Sequence, residues 1–254
     1  MAGESQEAGR KAEASVAQAI GDKKKRLHEM LGEMLGAEID SCKVVEDKRI
    51  KPDLLLESRG NPNGFPLKTW ATLKSSTSEN GTSGHAGRFC VADAMGIQGM
   101  EKAVVDDCLD LVSSQEYEYA SRASRARAKE LAEILPSREI ARLGIVGNLT
   151  PAPSIMVVCV GGQNPTAFFG PVGSLFLAMP ERGAVLVEPK SNCFYPSIQL
   201  SGGVFGVKRS GGTAGEALQI TVSSAQILQL FKSGGLPLWK SCKVDAERTK
   251  IFGA

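Results

Sequence analysis

The sequence predicts a mixed fold (α/β, of the α+β kind), with helices and short strands in its first half and mostly strands in its second. Three observations predict it. Apolar residues recur at helical spacing through residues 8–35. Two short alternating runs, 53–57 and 68–74, flank a Gly/Pro/Asn loop from Arg59 to Pro66, the pattern of a hairpin. From Ser154 onward Gly, Val, Phe and Pro dominate and the helical period disappears. With 254 residues, 42% hydrophobic and 23% charged, the chain is expected to form a single domain over 1–254. Its two lobes are an α/β part with helices over 1–150 and a mostly β lobe over 151–254.

In order along the chain, the first helical stretch has Gly21 as a break and Gly36 as a stop. A strand is expected over 42–47, before the hairpin. Ser75 to Gly87, rich in Ser, Thr and Gly, reads as a loop. Helical patterns return over 91–112, over 116–135 up to Pro136, and briefly over 138–143. Strands are expected at 155–160, 167–169, 175–178, 184–188, 197–200, 204–208 and 218–222. Ser223 and Ser224 then cap a helix over 225–232 that Gly234 and Gly235 stop.

Several function classes lose support at once. No apolar run reaches the length of a membrane span, and the polar, acidic start is unlike a signal peptide, so a cytoplasmic protein without a membrane partner is expected. The six cysteines form no CxxC pair and have only His28 and His85 to assist them, which argues against zinc. No phosphate-cradling GxxxxGK[ST] loop, dinucleotide GxGxxG or GxSxG elbow occurs, so no nucleotide cofactor and no serine hydrolase is expected. The net charge is only +2, but cations cluster at Lys23–Arg26, at Arg122, Arg125, Arg127 and Lys129, at Lys208–Arg209 and between Lys232 and Lys250. Such clusters suit a phosphate backbone, although each alone reads first as a solvated face.

The chemistry concentrates on the hairpin. Pro52 biases the backbone around Asp53 toward extended geometry, and alternation puts Asp53, Leu55 and Glu57 on one face of the first strand. On the second strand Trp70, Thr72 and Lys74 share a face, with Ala71 and Leu73 on the other. A carboxylate that holds Mg²⁺ beside an ammonium near the scissile phosphate suits metal-assisted phosphodiester cleavage. Glu13, on the first helix, is a further acid able to orient a metal-bound water. Each also has a bland reading: Asp53 as a loop cap, Glu13 and Glu57 as solvated acids, Lys74 as a lysine reaching for water. A second strand-plus-Glu-x-Lys run, Ala184 to Lys190, is set aside. No Asp lies between Asp110 and Asp245 to partner it, and Pro189 interrupts strand pairing.

The run Lys51-Pro52-Asp53 with Thr72-Leu73-Lys74 resembles the PD-(D/E)xK nuclease superfamily, and type II restriction endonucleases within it. The resemblance implies a restriction-endonuclease-like core, a mixed central sheet flanked by helices. It also implies Asp53, Lys74, Thr72 and Glu13 as catalytic residues and Asp53, Glu57 and the Leu73 carbonyl as ligands of Mg²⁺. Thr72 stands where the family usually has Asp or Glu.

Further on, the segment from Ser201 to Thr221, with Phe205-Gly206, Lys208-Arg209, Gly211-Gly212 and Leu218-Gln219, is similar to the C-terminal part of the MspI-like restriction enzymes that cut short GC-rich sites. That likeness implies double-stranded DNA as partner, bound in a basic cleft between core and Gly-rich β lobe, a short palindromic site, and action as a monomer or homodimer. Lys208, Arg209 and Gln219 are the candidates for DNA contacts, together with His85 and Arg88 on the 75–87 segment and just after it. The competing reading is a nucleic-acid-binding or structural assembly protein without catalysis, in which the Pro-Asp hairpin is incidental. A small-molecule hydrolase ranks last, because the sequence supplies no nucleophile.

Overall fold

Helix α1, Ala2–Gly21, and helix α2, Arg26–Leu35, divide the first helical stretch at Gly21. Val16, Ala17 and Ile20 of α1 and Leu27 and Leu31 of α2 recur at helical spacing and are buried. His28 is buried beside them, its Nδ1 2.7 Å from the Ile20 carbonyl, which makes it a tie between the two helices. Gly36 ends α2 in the left-handed region (φ 61), where its N–H returns to the last helical carbonyls. The computed structural model describes residues 2–46, 52–59, 68–76, 82–89, 126, 130, 133–146, 151–161, 164–180, 184–187, 197–200, 203–209 and 218–248. The expected helix over 91–112, most of that over 116–135, and the Glu188-Pro189-Lys190 run lie outside them.

The remaining elements are β1 Ile39–Val44, β2 Leu54–Ser58, β3 Lys68–Ser76, β4 Thr82–Phe89, α3 Ser137–Ile145, β5 Ile155–Val160, β6 Thr166–Pro171, α4 Val172–Leu177, β7 Ala184–Val187, β8 Ser197–Leu200, β9 Phe205–Arg209, β10 Leu218–Ser223, α5 Ser224–Lys232 and β11 Lys240–Lys243. The architecture is α+β, with two sheets. The chain forms two compact units, and they do not divide at 150/151. One comprises Met1–Gly81, Leu149–Leu175 and Gly234–Ala254, the other Thr82–Asn148 and Phe176–Ser233. The second unit is thus built from two excursions of the chain, one leaving after β3 and one after β6.

In the first unit the sheet order is β1-β2-β3-β5-β6-β11. All neighbours are antiparallel except β3 and β5, which run parallel. The parallel pair requires a long connection, and the first excursion provides it. One face of this sheet carries Leu54, Leu56, Ala71, Leu73, Ile155, Val157, Cys159, Ala167 and Phe169, which form one buried cluster with α1 and α2. Burying each large aliphatic side chain there contributes about 1.5–3 kcal/mol. The tail closes the unit. Arg26 N–H donates to the Ala246 carbonyl and Arg248 N–H to the Lys24 carbonyl.

The second unit holds an antiparallel sheet of order β4-β10-β9-β8-β7, with α3 against β4 and β8. Ser223 caps α5, its hydroxyl accepting from the Gln226 N–H at 3.3 Å.

Three expectations need correction. The segment 75–87 is not a loop along its length: β3 runs to Ser76, and β4 starts at Thr82 because it pairs with β10. Residues 175–178 are not a strand; α4 ends at Leu177, burying Val172 and Leu175 one helical turn apart. The first strand spans 39–44 rather than 42–47, since Cys42 to Val44 register against Leu56 to Leu54. The basic tail also contains β11, which pairs with β6 and was not anticipated.

Candidate active site

Asp53 stands at the mouth of β2. Its N–H donates to the Ala71 carbonyl (2.9 Å) and its own carbonyl accepts from Val45 N–H (2.9 Å), so its backbone is held between β1 and β3. The register pairs Leu54 with Ala71 and Leu55 with Trp70. Asp53 therefore lies over Thr72 on the sheet face opposite the helices. Alternation placed Asp53, Leu55 and Glu57 together on one strand and Trp70, Thr72 and Lys74 on the next, and the burial pattern agrees: Leu54, Leu56, Ala71 and Leu73 face the core.

Three donors converge on one carboxylate oxygen. Thr72 Oγ1 donates to Asp53 Oδ2 at 2.8 Å, the Leu73 N–H donates to the same atom at 2.6 Å, and Lys74 Nζ lies 3.5 Å from it. Oδ1 takes none of these. Thr72 is 2% exposed, whereas the Asp53 side chain keeps a quarter of its surface and Lys74 about an eighth (25% and 12%). The pair is thus semi-enclosed, where solvent screens its charges less than on an open surface.

The other candidates fall in different places. Glu57 shares the face of Asp53 but lies four residues along β2, about 13 Å away at the rise of an extended strand. It accepts from Lys43 Nζ and Ser41 Oγ, each at 2.8 Å. The Lys43 hydrogen bond, then that of Ser41, holds its carboxyl below the ordinary range. The structure does not bring Glu57 to Asp53. Glu13 lies one helical turn before Val16 and Ala17, in line with the stripe of α1 that packs on the Leu54/Leu73 face. Among the described residues, no group of three or more His, Cys, Asp or Glu is arranged to hold a metal.

Two basic clusters resolve differently. Lys23 pairs with Glu38, Lys25 with Glu247 (2.8 Å), and Arg26 with Glu29, which Arg248 also reaches (2.7 Å). Those cations are engaged in ion pairs within the first unit, Lys23 and Lys25 from the turn between α1 and α2. In the second unit the register of β4, β10 and β9 sets Arg88 opposite Gln219, and Gln219 opposite Lys208, in one row across three strands. After a register shift in β4, His85 pairs with Thr221, which pairs with Gly206 and that in turn with Gln199, which is exposed. Arg209 pairs with Leu218, in the next row of the register. Gln199 escaped the sequence reading. The alternation of Ser197-Ile198-Gln199-Leu200 was its available signal.

No helix among the described residues is long and apolar enough to cross a membrane. A scan against protein-family models finds no match, and a search of curated proteins finds none.

Proposed function

We propose that the protein is a Mg²⁺-dependent endonuclease of the restriction type, which hydrolyses phosphodiester bonds in duplex DNA at a short, GC-rich palindromic site. The observation that carries the reading is the convergence of Thr72 Oγ1, Leu73 N–H and Lys74 Nζ on Asp53 Oδ2, with Oδ1 left to other partners. A hard divalent ion favours oxygen donors and retains several waters, so one carboxylate oxygen and one carbonyl suit Mg²⁺. The Leu73 carbonyl fits as the second protein ligand. In an extended strand a residue's N–H and C=O point to the same side, and the Leu73 N–H already points to Asp53. When bound, Mg²⁺ supplies Lewis acidity and a more acidic water.

The chain's own groups do the rest. Asp53 orients through its fixed Oδ2. Lys74 holds a positive charge beside it, where negative charge accumulates on the phosphoryl oxygens in the transition state. Glu13, in line with the stripe of α1 that packs on the other face of the sheet, is left out of the centre. Glu57, tied to Lys43, is left out of the ligand set. In the second unit the Arg88–Gln219–Lys208 row supports a role in contacting DNA, cations to phosphates or guanine and the amide to a base edge.

The same row favours a second reading, a DNA-binding protein that does not cut. Incubating plasmid and genomic DNA with the purified protein and Mg²⁺ separates the two. Discrete fragments whose ends share one sequence are expected. Tight binding to DNA that stays intact, across substrates free of base modification, supports the second reading.

A further inference from the structure

The hydroxyl of Thr72 is almost wholly buried and is committed to Asp53 Oδ2 at 2.8 Å. A carboxylate oxygen offers about two lone-pair directions. Oδ2 already meets three donors: the hydroxyl, the Leu73 N–H at 2.6 Å and the Lys74 ammonium at 3.5 Å. It has no direction left for an ion. Bidentate binding of a cation by Asp53 is therefore blocked, and Oδ1 is the atom that remains.

Two of the three donors come from groups that any residue at position 72 would leave in place, the backbone of Leu73 and the side chain of Lys74. The third is particular to Thr72. Without it the carboxylate has a hydrogen-bond donor in the plane of β3 and a long ion pair, and χ2 of an Asp is a broad, soft torsion. With it, two short bonds from adjacent residues of one strand fix the carboxylate plane.

We infer that Thr72 is a positioning residue: its hydroxyl locks the Asp53 carboxylate with Oδ1 presented outward, so that the centre takes one hard divalent cation per chain, bound to Asp53 through a single oxygen. The inference rests on the metal-dependent reading of Asp53 proposed above, and it specifies how many ions that site holds and what orients their ligand. A carboxylate at position 72 would supply a second anionic ligand and remove the lock. Thr72 does the reverse, trading affinity for the ion against a fixed geometry.

Mn²⁺ serves as the probe, titrated into the full chain while the electron paramagnetic resonance signal of free Mn²⁺ is followed. Four proteins are compared: wild type, Thr72→Val, Thr72→Ser and Thr72→Asp, with Asp53→Ala as the blank. Thermal melts without metal establish that each variant is folded. The expected results are one Asp53-dependent Mn²⁺ per wild-type chain, and binding weakened on the order of tenfold in Thr72→Val, the scale of one hydrogen bond to a charged group. Thr72→Ser, which keeps the donor and loses the methyl, restores most of it. Thr72→Asp melts lower than wild type without metal, because two carboxylates then face each other, and gains more in melting temperature from Mn²⁺ than wild type does.

Thr72→Val binding Mn²⁺ as tightly as wild type, or Thr72→Ser failing to recover what Thr72→Val loses, overturns the positioning role while leaving the metal site standing. Two Asp53-dependent ions per wild-type chain overturn the stoichiometry. A wild type that binds no Mn²⁺ removes the metal-dependent reading itself, and this inference with it.

Discussion

Lys74 Nζ stands 3.5 Å from Asp53 Oδ2, on the face of the first sheet opposite α1 and α2. The contact joins two strands through residues far apart in sequence. It sets a cation beside a carboxylate that meets Thr72, Leu73 and Lys74 through a single oxygen. Replacing Lys74 by Met keeps the length of the stem and removes the charge. Single-turnover cleavage is expected to slow by about 10²–10³-fold, the range for loss of one preorganised electrostatic contact. Duplex affinity, measured without Mg²⁺, is expected to change little. A Lys74→Met variant cutting at the wild-type rate would take Lys74 out of the proposed chemistry.

The cross-strand row predicts a contrast between two neighbouring cations. Lys208 shares a row with Gln219 and Arg88, while Arg209 pairs with Leu218 in the next row. Lys208→Ala is expected to weaken DNA binding and to lower the slope of log affinity against log salt by about one. Gln219→Ala is expected to relax preference at one base position, at a cost of about 1–3 kcal/mol for the preferred base. Arg209→Ala is expected to do neither. Fluorescence-anisotropy titrations over a range of salt, with matched and mismatched duplexes, test all three.

Gly170 makes a close contact that no side chain can share. A Cβ there would come within 2.3 Å of Trp239, whose indole N–H donates to Ser174 Oγ at 3.0 Å. Gly170→Ala forces a rigid buried ring to move, and overpacking of this kind costs about 1–3 kcal/mol. Urea unfolding is expected to show that loss. Combining it with Trp239→Leu is expected to cost less than the two single changes together, because the same contact is relieved.

The geometry of the hairpin was legible before the fold was. Alternation alone assigned Asp53, Thr72 and Lys74 to faces, because a period of two leaves no freedom once a strand is recognised. Gly36 and Ser223 were legible for similar local reasons, a left-handed stop and a hydroxyl cap. What failed depended on distant partners. Thr82–Phe89 has the composition of a loop and becomes a strand through β10, well over a hundred residues away along the chain. Lys240–Lys243 looked like a charged tail and is a strand through β6. The six residues of α4 form an apolar run too short for periodicity to separate helix from strand. The interleaving of the two units left no mark in composition, since both excursions leave a sheet whose strands resemble their neighbours.

Burial sets the reactivity of the described thiols. It pushes Cys42 and Cys159 up to about 12 and Cys242 up to about 11. Only the thiolate attacks alkylating agents, so a brief iodoacetamide pulse at pH 8 is expected to leave these three unlabelled in the folded protein and to label them after unfolding. The linked stability has a definite sign. Each thiol binds its proton more tightly when folded, so its contribution is complete below the unfolded value near 8.5. That contribution is lost as pH climbs through the folded values. Mass mapping of the labelled peptides and thermal melts between pH 8 and 11 check the two halves of this prediction.

The most direct test of the central claim separates binding from cutting at Asp53. Wild type and Asp53→Ala are assayed side by side on one duplex DNA population, for affinity in Ca²⁺ and for cleavage in Mg²⁺. The account predicts that the variant binds the duplex about as well as wild type and yields no specific fragments, because what it lacks is the oxygen that holds the ion. Fragments of the same pattern and rate from both proteins would contradict it and place the reaction elsewhere in the chain.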